Sequence, residues 1–342
     1  SRSAVETDAC LVFPENGELE ALLTFHSERP GQYGRDTAPS PEWVTLVQHH
    51  SFLRLPDDGY RPRKHDPRAG SNSISYADYS APLDQPVEKK WIVRHRLQKT
   101  DPEAARSTVV EPIIYYVDRG VPEPVQAALI KGASWWAEAF EAAGFIDAYR
   151  VDLLPEGAHS LDARSSVIQW VHRATRGWSY GGGIVDPRTG EMIKGHVSLG
   201  SLRVRQDRLL FQGLAGADEM GSGSSDDPVE IALARIRQLS AHEVGHTLGM
   251  DHNFAASTYG RESVMDYPAP LVTIDDHGEL DFSDAYGVGV GEWDKLAIRW
   301  AYSHFPPGVD ESEELEKLLR DGLDRGLFIL SDDDARPAGA AH

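Results

Sequence analysis

The stretch His242-Glu243-Val244-Gly245-His246-Thr247-Leu248-Gly249-Met250-Asp251-His252 constrains this chain more than any other. It fits the pattern H-E-x-x-H-x-x-G-x-x-H in full. On a helix, His242 and His246 stand four residues apart, so both imidazoles project from one face about one turn apart and can grip a single ion. Glu243 follows the first of them and so lies beside the metal, where it can take a proton from metal-bound water. Gly249 lets the backbone leave the helix in a left-handed conformation that a side chain would penalise. After that turn the chain doubles back and His252 can supply a third nitrogen. Three protein nitrogens leave one coordination position open, which is the arrangement of a catalytic zinc site and not of a closed structural one. The expected cofactor is therefore one catalytic Zn2+, with His242, His246 and His252 as ligands and Glu243 as general base. H-E-x-x-H alone would be much weaker; the glycine and the third histidine make it specific.

The charge balance narrows the partners. With 34 Lys and Arg against 54 Asp and Glu, the formal net charge is −20, and a phosphate backbone would need a basic surface instead. Nucleic acid is excluded as a partner, and the acidity reads as a solvated surface. Calcium is conceivable for so acidic a chain but unsupported: the Asp-rich stretches at Asp226–Asp227, Asp275–Asp276 and Asp332–Asp334 lack the alternating ligand spacing of a calcium loop. One cysteine, Cys10, allows neither an internal disulfide nor a cysteine-based metal site. No apolar run reaches the roughly 18–20 residues that span a bilayer. The first residues show no signal peptide and no initiator Met, which suggests a processed product or an excised piece.

Punctuation and periodicity predict an α/β fold: a small mixed sheet, a zinc helix and a C-terminal helix, preceded by a β-rich N-terminal region. Strand-like runs fall at residues 11–13, 19–25 and 43–55, residues 58–88 read as irregular loop, and residues 91–97 as another strand. Residues 113–117 (IIYYV) form a continuous apolar strand. One long helix is expected from Pro122 to the stop at Gly144, with Trp135 and Trp136 in the core. Further strands are expected at 167–171 and 191–198, the zinc helix from about Asp227 to Gly249, and a last core helix carrying Trp293, Leu296, Ala297 and Trp300. The expected division is a β-rich region over 1–105, a catalytic domain over 106–305 and an acidic extension over 306–342 that includes a helix at 311–323. His49, His50, His65 and His172 have no partner spacing and read as structural or surface residues, and His196 as an ordinary strand residue.

Eleven residues after His252 the segment Ser263-Val264-Met265-Asp266-Tyr267-Pro268 begins. A Met there would ordinarily be plain core; behind the three-histidine motif it reads as the Met-turn that floors the metal. Motif and turn together resemble the metzincins. The wider sequence resembles the large bacterial zinc-dependent metalloproteases called met-zincins, at Gly59-Tyr60-Arg61-Pro62-Arg63, Asp66-Pro67-Arg68, residues 113–118, 135–145 and 186–191, the zinc helix through Phe254, and residues 291–302. That resemblance implies a zinc metallopeptidase acting on an extended peptide or protein substrate, secreted or in the cell envelope, in a parent protein longer than this chain. It implies a mechanistic role for Tyr267, two residues after Met265, like the tyrosine that swings on and off the zinc in astacin-like and serralysin-like metzincins. It also implies that residues 191–201 are the edge strand that pairs with substrate. Two other functions compete: a zinc hydrolase acting on another amide, such as a peptidoglycan cross-link, and a catalytically silent zinc-containing peptide-binding or adhesion module. Intact Glu243 speaks against the silent module.

Overall fold

The computed structural model describes residues 2–172, 178–217, 219–224, 226–306 and 308–335, so residues 336–342 of the expected acidic extension lie outside the described residues. Contacts divide the chain into two compact units, residues 1–56 with 161–164, and residues 57–160 with 165–342.

The first unit is a β-meander. Strands β1 (Ala4–Val5), β2 (Leu11–Val12) and β4 (Trp43–Leu53) all pair antiparallel with β3 (Asn16–His26), and a short helix α1 (Gln32–Thr37) joins β3 to β4. β3 and β4 stay in register from Asn16↔Leu53 to His26↔Trp43. Asn16 ties residues 161–164 into this unit: its amide donates to the Leu161 carbonyl at 2.9 Å and its Oδ1 accepts from the Ala163 amide at 2.9 Å. His49, which shows no partner spacing in the sequence, is held across the hairpin by Glu18 at 2.6 Å and Glu20 at 3.2 Å.

The second unit carries the three-histidine motif. Its strands are β5 (Ser73–Ala77), β6 (Glu88–Ile92), β7 (Arg94–His95), β8 (Ser107–Thr108), β9 (Ile113–Val117), β10 (Phe145–Ile146), β11 (Tyr149–Leu153), β12 (Ser166–Val171), β13 (Tyr180–Val185), β14 (Glu191–Gly200), β15 (Thr273–Ile274) and β16 (Leu280–Asp281). Its helices are α2 (Val125–Ala133), α3 (Trp136–Ala142), α4 (Leu202–Ala215), α5 (Pro228–Thr247), α6 (Glu292–Tyr302), α7 (Glu311–Asp324) and α8 (Asp332–Ala335). The main sheet runs β11-β9-β12-β14-β13. β11, β9, β12 and β14 are parallel, β13 is antiparallel to β14, and β7 pairs in parallel with the first two residues of β14. This is the α/β fold with a small mixed sheet, a zinc helix and a C-terminal helix.

Several elements differ from the sequence reading. Residues 58–88 are not all loop, because β5 lies among them and pairs with β6. The expected long helix is two: α2 and α3 are separated by a tight turn in which Trp135, Ala137 and Glu138 donate to carbonyls three residues back and Ser134 Oγ bonds the Ile130 carbonyl. α4 and β11 went unread. β14 is not the edge strand either. It is flanked by β12 and β13 and largely buried, so the edge belongs to β13, whose three glycines carry no apolar alternation for a sequence reading to detect.

α5 is buried on nearly every side, since α2 and α4 pack on it as well as the sheet. Its start is set by Asp227, whose carboxylate accepts from the Val229 amide at 2.9 Å, with Pro228 in the first turn. Trp136, Leu129 and Phe140 from α2 and α3, Ile236 and Val244 from α5, and Tyr115, Ile168 and Val197 from the sheet share one core. The two helices meet at Gly132, where a Cβ would lie 1.9 Å from the Arg237 carbonyl oxygen. Beside that crossing Ser240 Oγ donates to the Leu129 carbonyl and Trp136 Nε1 to the Ala241 carbonyl, each at 2.8 Å.

This contact predicts a sign. Gly→Ala inside a helix ordinarily gains about 1 kcal/mol of propensity, but overpacking against a backbone costs about 1–3 kcal/mol, so Gly132→Ala should lower the unfolding free energy. Urea denaturation checks it; a stabilised variant would show that α2 and α5 do not approach so closely.

Candidate metal centre and catalytic cleft

The zinc helix ends where the motif needs it to. The Met250 amide donates to the Gly245 carbonyl at 2.9 Å and the Gly249 amide to the His246 carbonyl at 3.0 Å, a Schellman pair closed by Gly249 at φ +94°. A Cβ on Gly249 would sit 1.9 Å from the Val93 carbonyl oxygen, so both conformation and space demand glycine. The next carbonyls are met by phenols: Tyr115 donates to Thr247 O at 3.2 Å and Tyr302 to Leu248 O at 2.8 Å. His95, whose pKa burial pushes down to about 4, stays neutral and bonds Tyr115 Oη through Nε2 at 2.9 Å. Residues read as loop then fix the outgoing chain. Asn72 donates from its backbone to Gly249 O and from its side chain to Met250 O, and Asp251 donates to Gly70 O.

That turn brings the three imidazoles together. Their ring centroids lie 4.6 to 5.3 Å apart, and each ring offers a nitrogen within 4.8 Å of the others. Each Nδ1 is engaged: His242 with the Val264 carbonyl at 2.7 Å, His246 with the Met250 carbonyl at 3.0 Å, and His252 with Asp332 Oδ2 at 2.5 Å. Carbonyls and carboxylates only accept, so each Nδ1 carries the proton and each Nε2 keeps its lone pair. His242 Nε2 is buried and has no partner, while the Nε2 atoms of His246 and His252 face each other at 3.1 Å. Two lone pairs so close, beside an orphaned buried nitrogen, fit a shared cation. Burial pushes His242 and His246 well below the usual imidazole range, which favours the neutral, ligating form.

Glu243 projects into the same cleft, a space of about 440 Å³. Burial pushes its carboxyl up to about 7, opposed by a hydrogen bond from the Gly181 amide. A dication beside it would favour the ionised form. β13 comes this close because Gly181 lacks a side chain: a Cβ there would be 1.9 Å from the Glu243 carbonyl oxygen.

Met265 is buried against the zinc helix: a Cβ on Gly245 would meet its Sδ at 2.3 Å. The turn is anchored by Asp294, a fully buried residue of α6 that the sequence reading missed. Its carboxylate accepts from Ser263 Oγ at 2.6 Å, the Val264 amide at 2.8 Å and the Gly291 amide at 2.9 Å. Burial outweighs those bonds and holds its pKa up at about 6. Asp294 thus fixes Val264, and Val264 fixes His242. Tyr267, two residues after Met265, is more than half exposed; its hydroxyl donates to His252 Nε2 at 2.7 Å and its ring stands 4.8 Å from that of His242. Of the remaining histidines, His196 lies on β14 and takes no part in the cluster.

Residues 224–342 match the family model described as Met-zincin, and residues 1–100 match the one described as Domain of unknown function (DUF5117). The stretch that carries the three histidines thus lies within the part of the chain that is similar to Met-zincin. A solved structure, that of myroilysin, matches at 12% identity over 60% of this chain and 98% of its own, with a TM-score of 0.28. A comparison with curated proteins finds no match. No helix among the described residues is long and apolar enough to cross a membrane.

Replacing Asp294 by Ala leaves the Ser263 hydroxyl and the Val264 and Gly291 amides without an acceptor. Each such loss costs about 1–3 kcal/mol, so Asp294→Ala should destabilise the metal-free chain by about 3 kcal/mol or more in urea. A loss below about 1 kcal/mol would mean that the turn is held by something else.

Proposed function

We propose that this chain is a zinc-dependent endopeptidase. The observation that carries the reading is the clustering of one nitrogen from each of His242, His246 and His252 within 4.8 Å of one another, beside an open cleft that Glu243, His246 and His252 line. His242, His246 and His252 would hold the ion, which when bound supplies Lewis acidity that polarises a carbonyl and acidifies water.

The chain's own residues do the rest. Glu243 takes the proton from the attacking water and hands it to the leaving amine, which turns a poor leaving group into a neutral one. Tyr267, more than half exposed, would leave His252 Nε2 and donate its hydroxyl hydrogen to the oxygen that gains charge as the carbonyl carbon becomes tetrahedral. β13 lines the cleft from Tyr180 to Gly183 and is the last strand of the main sheet among the described residues. An extended peptide can add there as a further strand, so that main-chain bonds hold it whatever its sequence. A peptide or protein substrate follows from this edge, and work at the cell envelope or outside the cell follows from the family resemblance alone. A silent peptide-binding module would share the histidines but would have no use for a buried carboxylate aimed into the cleft.

Steady-state cleavage of a denatured protein by two variants tests the roles. Glu243→Gln keeps the shape and removes the base, so turnover should fall about 100- to 10,000-fold with zinc retained. Tyr267→Phe should keep zinc and KM and lose kcat at least about tenfold, since one oxyanion donor is typically worth about 100- to 1,000-fold. Cleavage by Glu243→Gln at the parent rate would remove Glu243 from the mechanism, and an unchanged kcat would remove Tyr267.

A further inference from the structure

We infer that Asp332 is a positioning residue of the metal centre, which makes the C-terminal stretch 327–335 a working part of the site. The inference rests on the zinc reading of the three histidines. Two of the three Nδ1–H groups are held by main-chain carbonyls, those of Val264 and Met250. The third, on His252, is held by a carboxylate that stands 80 residues further along the chain.

That distance is bridged by a docking strip built from the residues next to His252. Asn253 donates from Nδ2 to the Phe328 carbonyl at 3.0 Å and accepts at Oδ1 from the Leu330 amide at 3.2 Å. The Phe254 amide donates to the Leu330 carbonyl at 2.9 Å. Tyr259 adds a hydroxyl bond to the Phe328 carbonyl at 2.6 Å and packs its ring 4.6 Å from that of Phe328. Leu327 is buried beside Trp293 and Leu296 of α6. Residues 253 and 254 therefore clamp 328 and 330 in register, and Asp332, two residues beyond, falls against the His252 ring. Ser331 closes the strip by bonding Asp334 at the start of α8.

A carboxylate on Nδ1–H fixes the tautomer and the ring orientation and makes Nε2 a better donor to a metal. A plain surface His–Asp pair would contribute almost nothing. The distinguishing features are that His252 is mostly buried, that its other nitrogen faces His246 at 3.1 Å, and that the strip has no other charged contact to the three histidines among the described residues. His252 is also the ligand that the zinc helix does not itself orient, so it depends most on an outside partner.

Zinc affinity, measured by competition with a chromophoric chelator, tests this without reference to turnover. Asp332→Ala should weaken zinc binding about 10- to 100-fold, and Asp332→Asn, which keeps an acceptor oxygen of the same shape, should recover part of the loss. Asp333→Asn removes the same charge one residue along and should stay within about twofold of the parent. The cobalt-substituted Asp332→Ala chain should show a shifted visible spectrum, which a change in stability alone would not produce. Asp332 is nearly half exposed, so circular dichroism of the metal-free variants should match the parent. Parent-like zinc affinity in Asp332→Ala, or an equal loss in Asp333→Asn, overturns the inference. Failure of the unmodified chain to bind zinc at all overturns the metalloprotease reading, and this inference with it.

Discussion

A chain that must leave a helix and return a third histidine to the same face within six residues has to reverse at a position that tolerates a positive φ. Gly249, at +94°, is that position, and the rest of the site depends on it. Any side chain there would meet the Val93 carbonyl. The reversal exposes carbonyls at the end of a buried helix, where water cannot satisfy them. Tyr115, Tyr302 and Asn72 supply the missing donors. The polar residues that look scattered along the sequence therefore do a single job, which is to keep a buried helix end satisfied while the backbone doubles back.

Rigidity passes from this turn to the imidazoles through their Nδ1–H groups. α6 holds Val264 through Asp294, and Val264 holds His242; the turn itself holds His246; the C-terminal strip reaches His252. Three separate parts of the second unit thus converge on three rings, and each contributes one acceptor. Glycines do the complementary work of allowing approach. Gly181 lets the edge strand lie against Glu243, and Gly245 makes room for Met265. A side chain placed this way needs little reorganisation, because its neighbours are already fixed by packing that has nothing to do with a ligand.

What could be read from the sequence alone follows from the range of the interactions. The zinc motif was legible because its geometry is local: helix spacing places His242 and His246, and a single glycine places His252. The strand at Ile113–Val117, the zinc helix and α6 were legible for the same reason, since each announces itself by its own periodicity and ends. Asp294, Asn72 and Asp332 were not, because each acts on a partner 30 or more residues away in the chain. Asp332 stood in view within an acidic run, but nothing in that run marks which carboxylate meets a histidine. β13 was hidden by its glycines. The same absence of side chains that lets it approach Glu243 removes the alternation by which a strand is recognised, and so the edge was assigned to β14.

Whether His242, His246 and His252 form one metal centre is decided by zinc content with X-ray absorption on the loaded chain. One zinc per chain with three imidazole nitrogens at about 2.0–2.1 Å is expected, and a loss of affinity by orders of magnitude in His252→Ala. Full zinc occupancy in His252→Ala, with an unchanged absorption spectrum, would contradict a shared centre.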